Sequence, residues 1–490
     1  LLLPGTSNLD KARPILKALD GLARKEGQRI WLVGGTLRDL LTNTEPPDLD
    51  LTTSSNAISL GKKAAQKLRA HFILLKAEFE TCRLVKDEVQ VDIAGLRAPD
   101  LMGDLRARDF TVNALAWDLG DYLRGWPNII DPTGGLEDLE NRVLRLAGPN
   151  VLADDPLRVL RAFRFIATLG LRTAPGVISA LEKAGPDLAK VARERIAHEW
   201  LLGMAGRQVD QAVRAMQASG VLTLLVPDLE QGRGIDQNPY HHLDVLEHNL
   251  ACLEGLAMIQ KEPEEFMGKH GQATAEYLAQ NDRQRALLFT AALLHDIGKP
   301  ATRKETGPGW ATFYYHDKAG AKLAAPACRA LGLSKADTGY ISHMISEHMR
   351  PFQLMGAALN GKLTDRGIRR LLSALGDDLP GLFALAMADT MAGKGPERPP
   401  EAEQRLLDLY DHTIELRDKY LAQALAAPPL VNGHDVMDHL GMPPGRKLGH
   451  ILTTLREAQL DGRIKTKDQA LSLAKELYAS SLDVDSPLNA

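Results

Sequence analysis

The stretch Ile30–Thr53, IWLVGGTLRDLLTNTEPPDLDLTT, constrains this chain more than any other part of it. Ile30 to Val33 is a short apolar run of the kind that forms a buried strand. Gly34 and Gly35 follow and, lacking Cβ atoms, let the backbone come close to a ligand. Thr36 is placed to cap a short helix that carries Arg38 and Asp39. Backbone N–H groups at such a strand-to-helix turn form an anion site. Asp48-Leu49-Asp50 then alternates as a strand does, which puts both carboxylates on one face. Two close carboxylates repel unless a cation lies between them, and oxygen ligands beside a phosphate site suit Mg²⁺. These residues describe a two-metal site for phosphoryl transfer from a nucleoside triphosphate. A GG pair alone is a turn and a DxD alone is a solvated strand end; their order and spacing carry the reading.

In that order they resemble motif A of the class II tRNA nucleotidyltransferase and poly(A) polymerase family, within the DNA polymerase beta superfamily. The family pattern is GGxVRDxLL followed by DxD, and Leu37 stands here where Val is usual. A neighbouring strand, Glu88 to Ala94, ends near Asp92. The resemblance makes Asp92 the candidate third metal carboxylate, and an edge-strand Asp fits it equally. Arg108-Asp109-Phe110-Thr111-Val112-Asn113-Ala114 resembles motif B, RRDFTxNA, with Ala107 in place of the first Arg. Arg108 would then meet phosphate, Asp109 a ribose hydroxyl, and Asn113 would offer donor and acceptor. Family members usually carry a long flexible loop before motif B. Here only Ala98 to Gly103 join Arg97 to Asp104, a shortening that CC-adding members share and that points to CC addition; the alternative is a structurally neutral change of loop length.

Asp131 to Leu139 resembles motif C, read as a turn joining head to neck. Asp154-Asp155-Pro156-Leu157-Arg158 resembles motif D, EDxxR, with Asp154 where Glu is usual. Asp155 and Arg158, three apart, would lie one above the other on a helix face and hydrogen-bond the edge of C or A as a protein template. Seen alone the pair is an ordinary surface ion pair. Arg161 and Arg164 lie near the same side and would meet phosphate. Glu194-Arg195-Ile196 with Glu199 reads as packing of the neck.

A second chemical module begins at Tyr240. The phrase LLHDIGKP ends an apolar helix with adjacent His295 and Asp296. A buried Asp needs a partner, and a metal is one; imidazole with carboxylate suits a transition metal or Mg²⁺. His248, His295, Asp296 and Asp389 resemble the H…HD…D pattern of the HD phosphohydrolase superfamily, whose chemistry is metal-activated water attacking a phosphoester. His316 and His348 match positions where some members add ligands for a second metal.

The fold implied is α+β: a polymerase beta-like head with a mixed sheet at 1–145, an all-helical neck at 146–230, an HD domain at 238–395 and a helical tail at 396–490. At 490 residues the chain exceeds one core. Its net charge of −4 does not advertise a nucleic-acid binder, so RNA contact falls to local cations, among them Lys447, Arg456, Arg463, Lys465 and Lys467 in the tail. Three scattered cysteines indicate a reducing, cytoplasmic setting. Leu1-Leu2-Leu3 is too short for a signal segment, and no apolar run is expected to reach membrane-spanning length. The function implied is template-independent addition of CC or CCA to tRNA from CTP and ATP. Mg²⁺ would be held at Asp48 and Asp50, the triphosphate at Gly34, Gly35 and Arg38, and a divalent metal in the HD site. The alternatives are a poly(A) polymerase, and a phosphohydrolase with a degenerate head.

Overall fold

A computed structural model describes residues 7–307, 310–426, 428–460 and 463–482; the reading of Leu1 to Leu3 lies outside them. The head is built on strands β1 (Ile30–Val33), β2 (Leu49–Thr53), β3 (His71–Lys76), β4 (Thr81–Lys86), β5 (Val89–Gly95), β6 (Ala116–Asp118) and β7 (Ile129–Ile130). They form one mixed sheet in the order β3-β4-β5-β2-β1-β6-β7. All four residues of β1 are buried because both faces are covered. Ile30 and Leu32 join a core with Leu16, Leu19 and Leu60. Trp31 and Val33 pack with Leu105, Ala114 and Ala116 on the other face. The first of these cores is closed by the amphipathic helix Ser7–Lys25, which presents Leu9, Ile15, Leu16 and Leu19 to the sheet.

Two features of the sheet position the chemistry. β2 is antiparallel to β1, so the chain returns from the glycine turn beside it. β2 is parallel to β5, and the register sets Asp50 opposite Asp92. The connection from β5 to motif B is short and tied down. Asp100 caps the helix Leu101–Arg106 by accepting from Gly103 N–H. Buried Asp104 accepts from Arg97 N–H at 3.0 Å and from Arg108 Nη2 at 3.1 Å.

The neck carries the helices Arg158–Leu169, Arg193–Met204 and Val209–Ala218. It is not wholly helical, since Val143–Leu144 pairs in parallel with Arg172–Thr173. Five helices then frame the second module: Val245–Lys261, Asp282–Leu294, His316–Ala330, Lys335–Glu347 and Leu379–Ala392. A small hairpin, Lys304–Gly307 with Trp310–Thr312, lies between the second and third of these helices.

The chain divides into two compact units, Leu1–Met349 with Pro380–Ala402, and Arg350–Leu379 with Glu403–Ala490. The second has its own core, with Val436, Ile451, Leu455, Ala470 and Ala474 at its centre. Of the tail cations, Arg463, Lys465 and Lys467 are exposed, and Lys467 is paired with Asp435 at 2.5 Å. The expectation about apolar length needs correction: 365–392 is long and apolar enough to cross a membrane. Its apolar content is that of a core helix, because Leu382 to Ala388 are buried in the protein.

Candidate functional site

β1 delivers the chain into the glycine turn, and the helix Gly34–Leu41 starts there. Gly34 has φ +63°, and a Cβ on it would stand 2.9 Å from Arg108 Nη1 and 3.8 Å from Asp50 Oδ2. A Cβ on Gly35 would be 3.6 Å from Arg38 Nη2. The turn therefore lies against the carboxylate and both guanidinium groups, and side chains here would fill the space between them. Thr36 does not cap the helix, whose N-cap is Val33 without a side-chain bond. Its hydroxyl accepts from Asp50 N–H at 2.6 Å and donates to the Asp48 carbonyl at 3.2 Å. Buried in the first turn of the helix, it serves the strand instead and fixes the DxD segment to the turn.

Asp48 precedes β2 and is partly exposed, while Asp50 lies within the strand. Burial is the main cause that pushes the Asp50 carboxyl up to about 6; Arg108 and Arg38 oppose it, and Asp92 and Asp48 add to it. Asp92 is engaged differently. Arg83 on β4 grips it with two bonds, Nε at 2.6 Å and Nη2 at 2.9 Å, and reaches toward Asp48 at 4.0 Å. Sequence reading missed Arg83, and its signal was the cross-strand register Arg83↔Asp92.

A continuous polar chain joins motif A to the neck. Arg38 donates to Asp39 at 2.8 Å and to Asn113 Oδ1 at 2.8 Å. Asn113 Nδ2 donates to Asp109 Oδ1 at 3.0 Å. Arg161 donates twice to Asp109 Oδ2, at 2.8 and 2.5 Å. Arg164 pairs with buried Glu199 at 3.2 Å, and Arg161 lies 3.7 Å from the same carboxylate. Arg161 and Arg164 are thus turned onto internal acids rather than presented to phosphate, because a buried carboxylate requires a cation. Burial opposes the charge on Asp109, yet Arg161, Asn113 and the Phe110 N–H together hold its carboxyl below the usual range. Burial pushes Asp39 up, and Arg38 only partly offsets that. Phe165 lies under three guanidinium groups, those of Arg38, Arg161 and Arg164, at 5.3, 5.4 and 4.5 Å. Neither Phe165 nor the pairing role of Glu199 was read from the sequence.

Motif D is not one helix face. Asp155 is extended (φ −148°, ψ 101°) at the end of the short helix Val151–Asp154, and the next helix begins at Arg158. Pro156 is the cause, since the residue before a proline is driven from helical to extended backbone. Asp155 is paired with Arg195 at 2.8 Å, and Arg158 donates to the Val151 carbonyl at 3.0 Å. Both line a cavity of about 690 Å³ between the neck and the β3–β4 turn, together with Lys76, Phe79, Arg97 and Arg195.

The second module gathers its ligands from five elements. His248 comes from Val245–Lys261, His295 and Asp296 from the end of Asp282–Leu294, and His316 from the start of His316–Ala330. His348 closes Lys335–Glu347, and Asp389 lies in Leu379–Ala392. Gly298 makes this assembly possible, for a Cβ there would overlap the His316 carbonyl oxygen and Gly320. His248 Nε2 is 2.9 Å from Asp389 and 3.4 Å from Asp296 Oδ2. His295 Nε2 is 3.2 Å from Asp296 Oδ2. On the other side, Asp296 Oδ1 is 3.1 Å from His316 Nε2 and 3.8 Å from His348 Nε2. The Nδ1 atoms of His295, His316 and His348 each face a backbone carbonyl at 2.6–2.9 Å. A carbonyl only accepts, so Nδ1 carries the proton and Nε2 offers its lone pair to the common centre.

The donor set fits a divalent ion. His295 Nε2 and both oxygens of Asp296 are fully buried without a hydrogen bond of good geometry. Such orphaned atoms are costly unless something charged completes them. In the protein alone, Lys299 stands 2.5 Å from Asp296 Oδ2, braced by Gln237 at 2.6 Å. Burial opposes the charge on Asp296, but His295 and Lys299 hold the carboxyl far below its usual value.

Comparison with known proteins places these geometries. Residues 30–145 match the family described as "Poly A polymerase head domain", residues 245–415 the HD domain, and residues 170–232 the "Probable RNA and SrmB- binding site of polymerase A". The chain is 32% identical over 446 residues to the A-adding tRNA nucleotidyltransferase of Deinococcus radiodurans, covering 90% of this chain and 93% of that one. It is 30% identical to the CC-adding tRNA nucleotidyltransferase of Thermus thermophilus, covering 89% and 91%. Its fold is similar to a CCA-adding enzyme in its apo form, with TM-score 0.60, 19% identity and coverage of 97% and 96%. A second similar fold is the Thermotoga maritima CCA-adding enzyme complexed with tRNA, at TM-score 0.57, 19% identity and coverage of 95% of each chain. On that relatedness, carried along nearly its whole length, the chain belongs to the tRNA nucleotidyltransferase and poly(A) polymerase family.

Proposed function

We propose that this protein extends the 3′ end of tRNA from CTP, adding CC without a nucleic-acid template. The observation that carries the chemistry is the position of Asp50, set by the β2–β5 register and the Thr36 bonds against Gly34, Arg108 and Arg38. Asp48 and Asp50 would hold magnesium, which would supply positive charge to the attacking 3′-hydroxyl and the leaving pyrophosphate. The N–H groups of the Gly34–Gly35 turn and the guanidinium groups of Arg38 and Arg108 bind the triphosphate. Asp109 and Asn113 orient the sugar, and the Arg161–Glu199–Arg164 cluster holds them in place. Asp92, gripped by Arg83, acts on Asp50 through charge across the paired strands and is not offered as a third ligand in this state. Asp155 and Arg158 read the base edge from the wall of the adjoining cavity.

The short, clamped connection from β5 to motif B supports CC addition, since CC-adding members share that shortening. The 32% identity to an A-adding enzyme favours a second reading, addition of the terminal A from ATP. One assay separates them. Offered tRNA lacking its 3′ end and one labelled nucleotide at a time, the protein should add two C and stop. One A added only to tRNA already ending in CC would establish the second reading, and a ladder of A would establish a poly(A) polymerase. Asp48→Ala and Asp50→Ala should each abolish incorporation while leaving the thermal melt in place; near-normal activity in either overturns the site.

The HD module is proposed as a phosphoesterase acting on 2′,3′-cyclic phosphates or 2′-nucleotides. One ion would be held by His248, His295, Asp296 and Asp389, and a second by His316 and His348. The three described cysteines are free and buried, which supports a cytoplasmic setting.

A further inference from the structure

Among the described residues, the exposed Phe, Tyr and Trp side chains are concentrated in the HD module. Tyr240 and Trp310 are 45% exposed, Tyr314 74% and Tyr315 79%, while the rest of the chain adds only Phe79 and Trp126. The two stretches that carry them meet at Lys299. Gln237, three residues before Tyr240, accepts from Lys299 Nζ at 2.6 Å. Phe313, next to Tyr314, lies 5.7 Å from the same ammonium, and its carbonyl faces His316 Nδ1 at 2.7 Å. Lys299 itself reaches Asp296. The exposed rings therefore rim the histidine–aspartate row, on either side of the lysine that touches its buried carboxylate.

The fold does not ask for these rings. Tyr314 and Tyr315 make no side-chain hydrogen bond or ring contact among the described residues. Tyr315 is also the one aromatic residue there at positive φ, +63° with ψ 21°. A bulky side chain in this left-handed backbone carries strain that glycine or asparagine avoids. Strain kept for a ring that is not buried points to a ligand. An exposed ring stacks any nucleobase. Lys304, exposed on the hairpin opposite Thr312, adds a cation for phosphate. A mononucleotide has one base, whereas the rim offers several rings, which fits a strand. A 2′,3′-cyclic phosphate or a 2′-phosphate beside a free 3′-hydroxyl exists in a strand only at its 3′ end.

We infer that this rim binds the bases of a single-stranded RNA 3′ end whose phosphoester enters the row. The inference rests on the phosphoesterase reading of the HD module and narrows its substrate to the end of a polynucleotide.

The test uses the full chain supplied with Co²⁺. One probe is a short single-stranded RNA ending in a 2′-phosphate, with 5-iodouridine as its last nucleotide. The other is ribose 2′-phosphate, which has no base. Ultraviolet light should crosslink the RNA to the wild type at Tyr314 or Tyr315, and the double variant Tyr314→Ser, Tyr315→Asn should lose that crosslink. For phosphate release, the KM of the RNA should lie at least about tenfold below that of ribose 2′-phosphate; in the double variant it should rise to meet it. Tyr315→Asn alone should melt no lower than the wild type, because asparagine accepts this backbone more readily. A lower melt would show that the ring supports the fold, and would overturn the proposal. A crosslink only outside the rim, equal KM for the two esters, or discrimination kept by the double variant would overturn it as well. A 2′-mononucleotide with the KM of the RNA would overturn the polynucleotide. If the wild type releases phosphate from neither ester, the phosphoesterase reading falls and the crosslink alone decides the surface.

Discussion

Asp50 is held where burial and charge pull against each other. Its carboxyl is raised to about 6, against about 3.9 in an unfolded chain. The folded state therefore takes up a proton first as pH falls, so ionising Asp50 costs stability above about pH 6, and that cost is relieved as pH falls below it. A divalent ion needs the ionised form and competes with the proton. The Mg²⁺ concentration for half-maximal incorporation should be flat above about pH 7 and rise about tenfold per unit well below pH 6. A flat response from pH 7 to 5 would remove Asp50 from the metal site. Asp109 has the opposite sign. Its lowered carboxyl contributes stability that is complete above about pH 4 and lost as pH falls through its lower folded value. Arg161→Met strands that buried charge, and urea denaturation at pH 7 should show a loss of about 3 kcal/mol. A loss under about 1 kcal/mol would mean that the pair is dispensable.

At the scale of elements, backbone geometry decides what the motifs can do. Gly34→Ala places a Cβ at positive φ and against Arg108. The expected outcome is a strain of about 1–2 kcal/mol and a raised KM for the nucleotide, with the head otherwise folded; an unchanged KM would show that the turn does not touch triphosphate. β1, the glycine turn and the Asp48-Leu49-Asp50 segment were legible because their apolar run, glycine pair and alternation are local signals. β4, β6 and β7 were not read: Thr81–Lys86 mixes polar and apolar residues, and the other two are only three and two residues long. The spacing of Asp155 and Arg158 predicts one continuous helix face, and Pro156 forbids it by driving Asp155 out of helical backbone. The candidate ligands of the HD row were legible from LLHDIGKP and the H…HD…D pattern, whereas Arg83 carries only the register Arg83↔Asp92, which appears once β4 is known to pair with β5.

Over the whole molecule, the two proposed chemistries occupy separate places on one chain. His295→Ala should abolish release of phosphate from a 2′-nucleotide and leave nucleotide incorporation intact. Loss of both together would mean that the HD module supports the fold of the head. The link between β5 and motif B has a wider consequence. Asp100 and Asp104 pin it at both ends, and Asp104 grips Arg108, which reaches the Gly34 turn. An enzyme with slack there can reshape its pocket as the primer lengthens and then accept a different base. This one has none to spend. On the proposed CC addition, counting would be set by the length of a tether: growth would stop when the lengthened end no longer fits a rigid room, and finishing the end would fall to another enzyme.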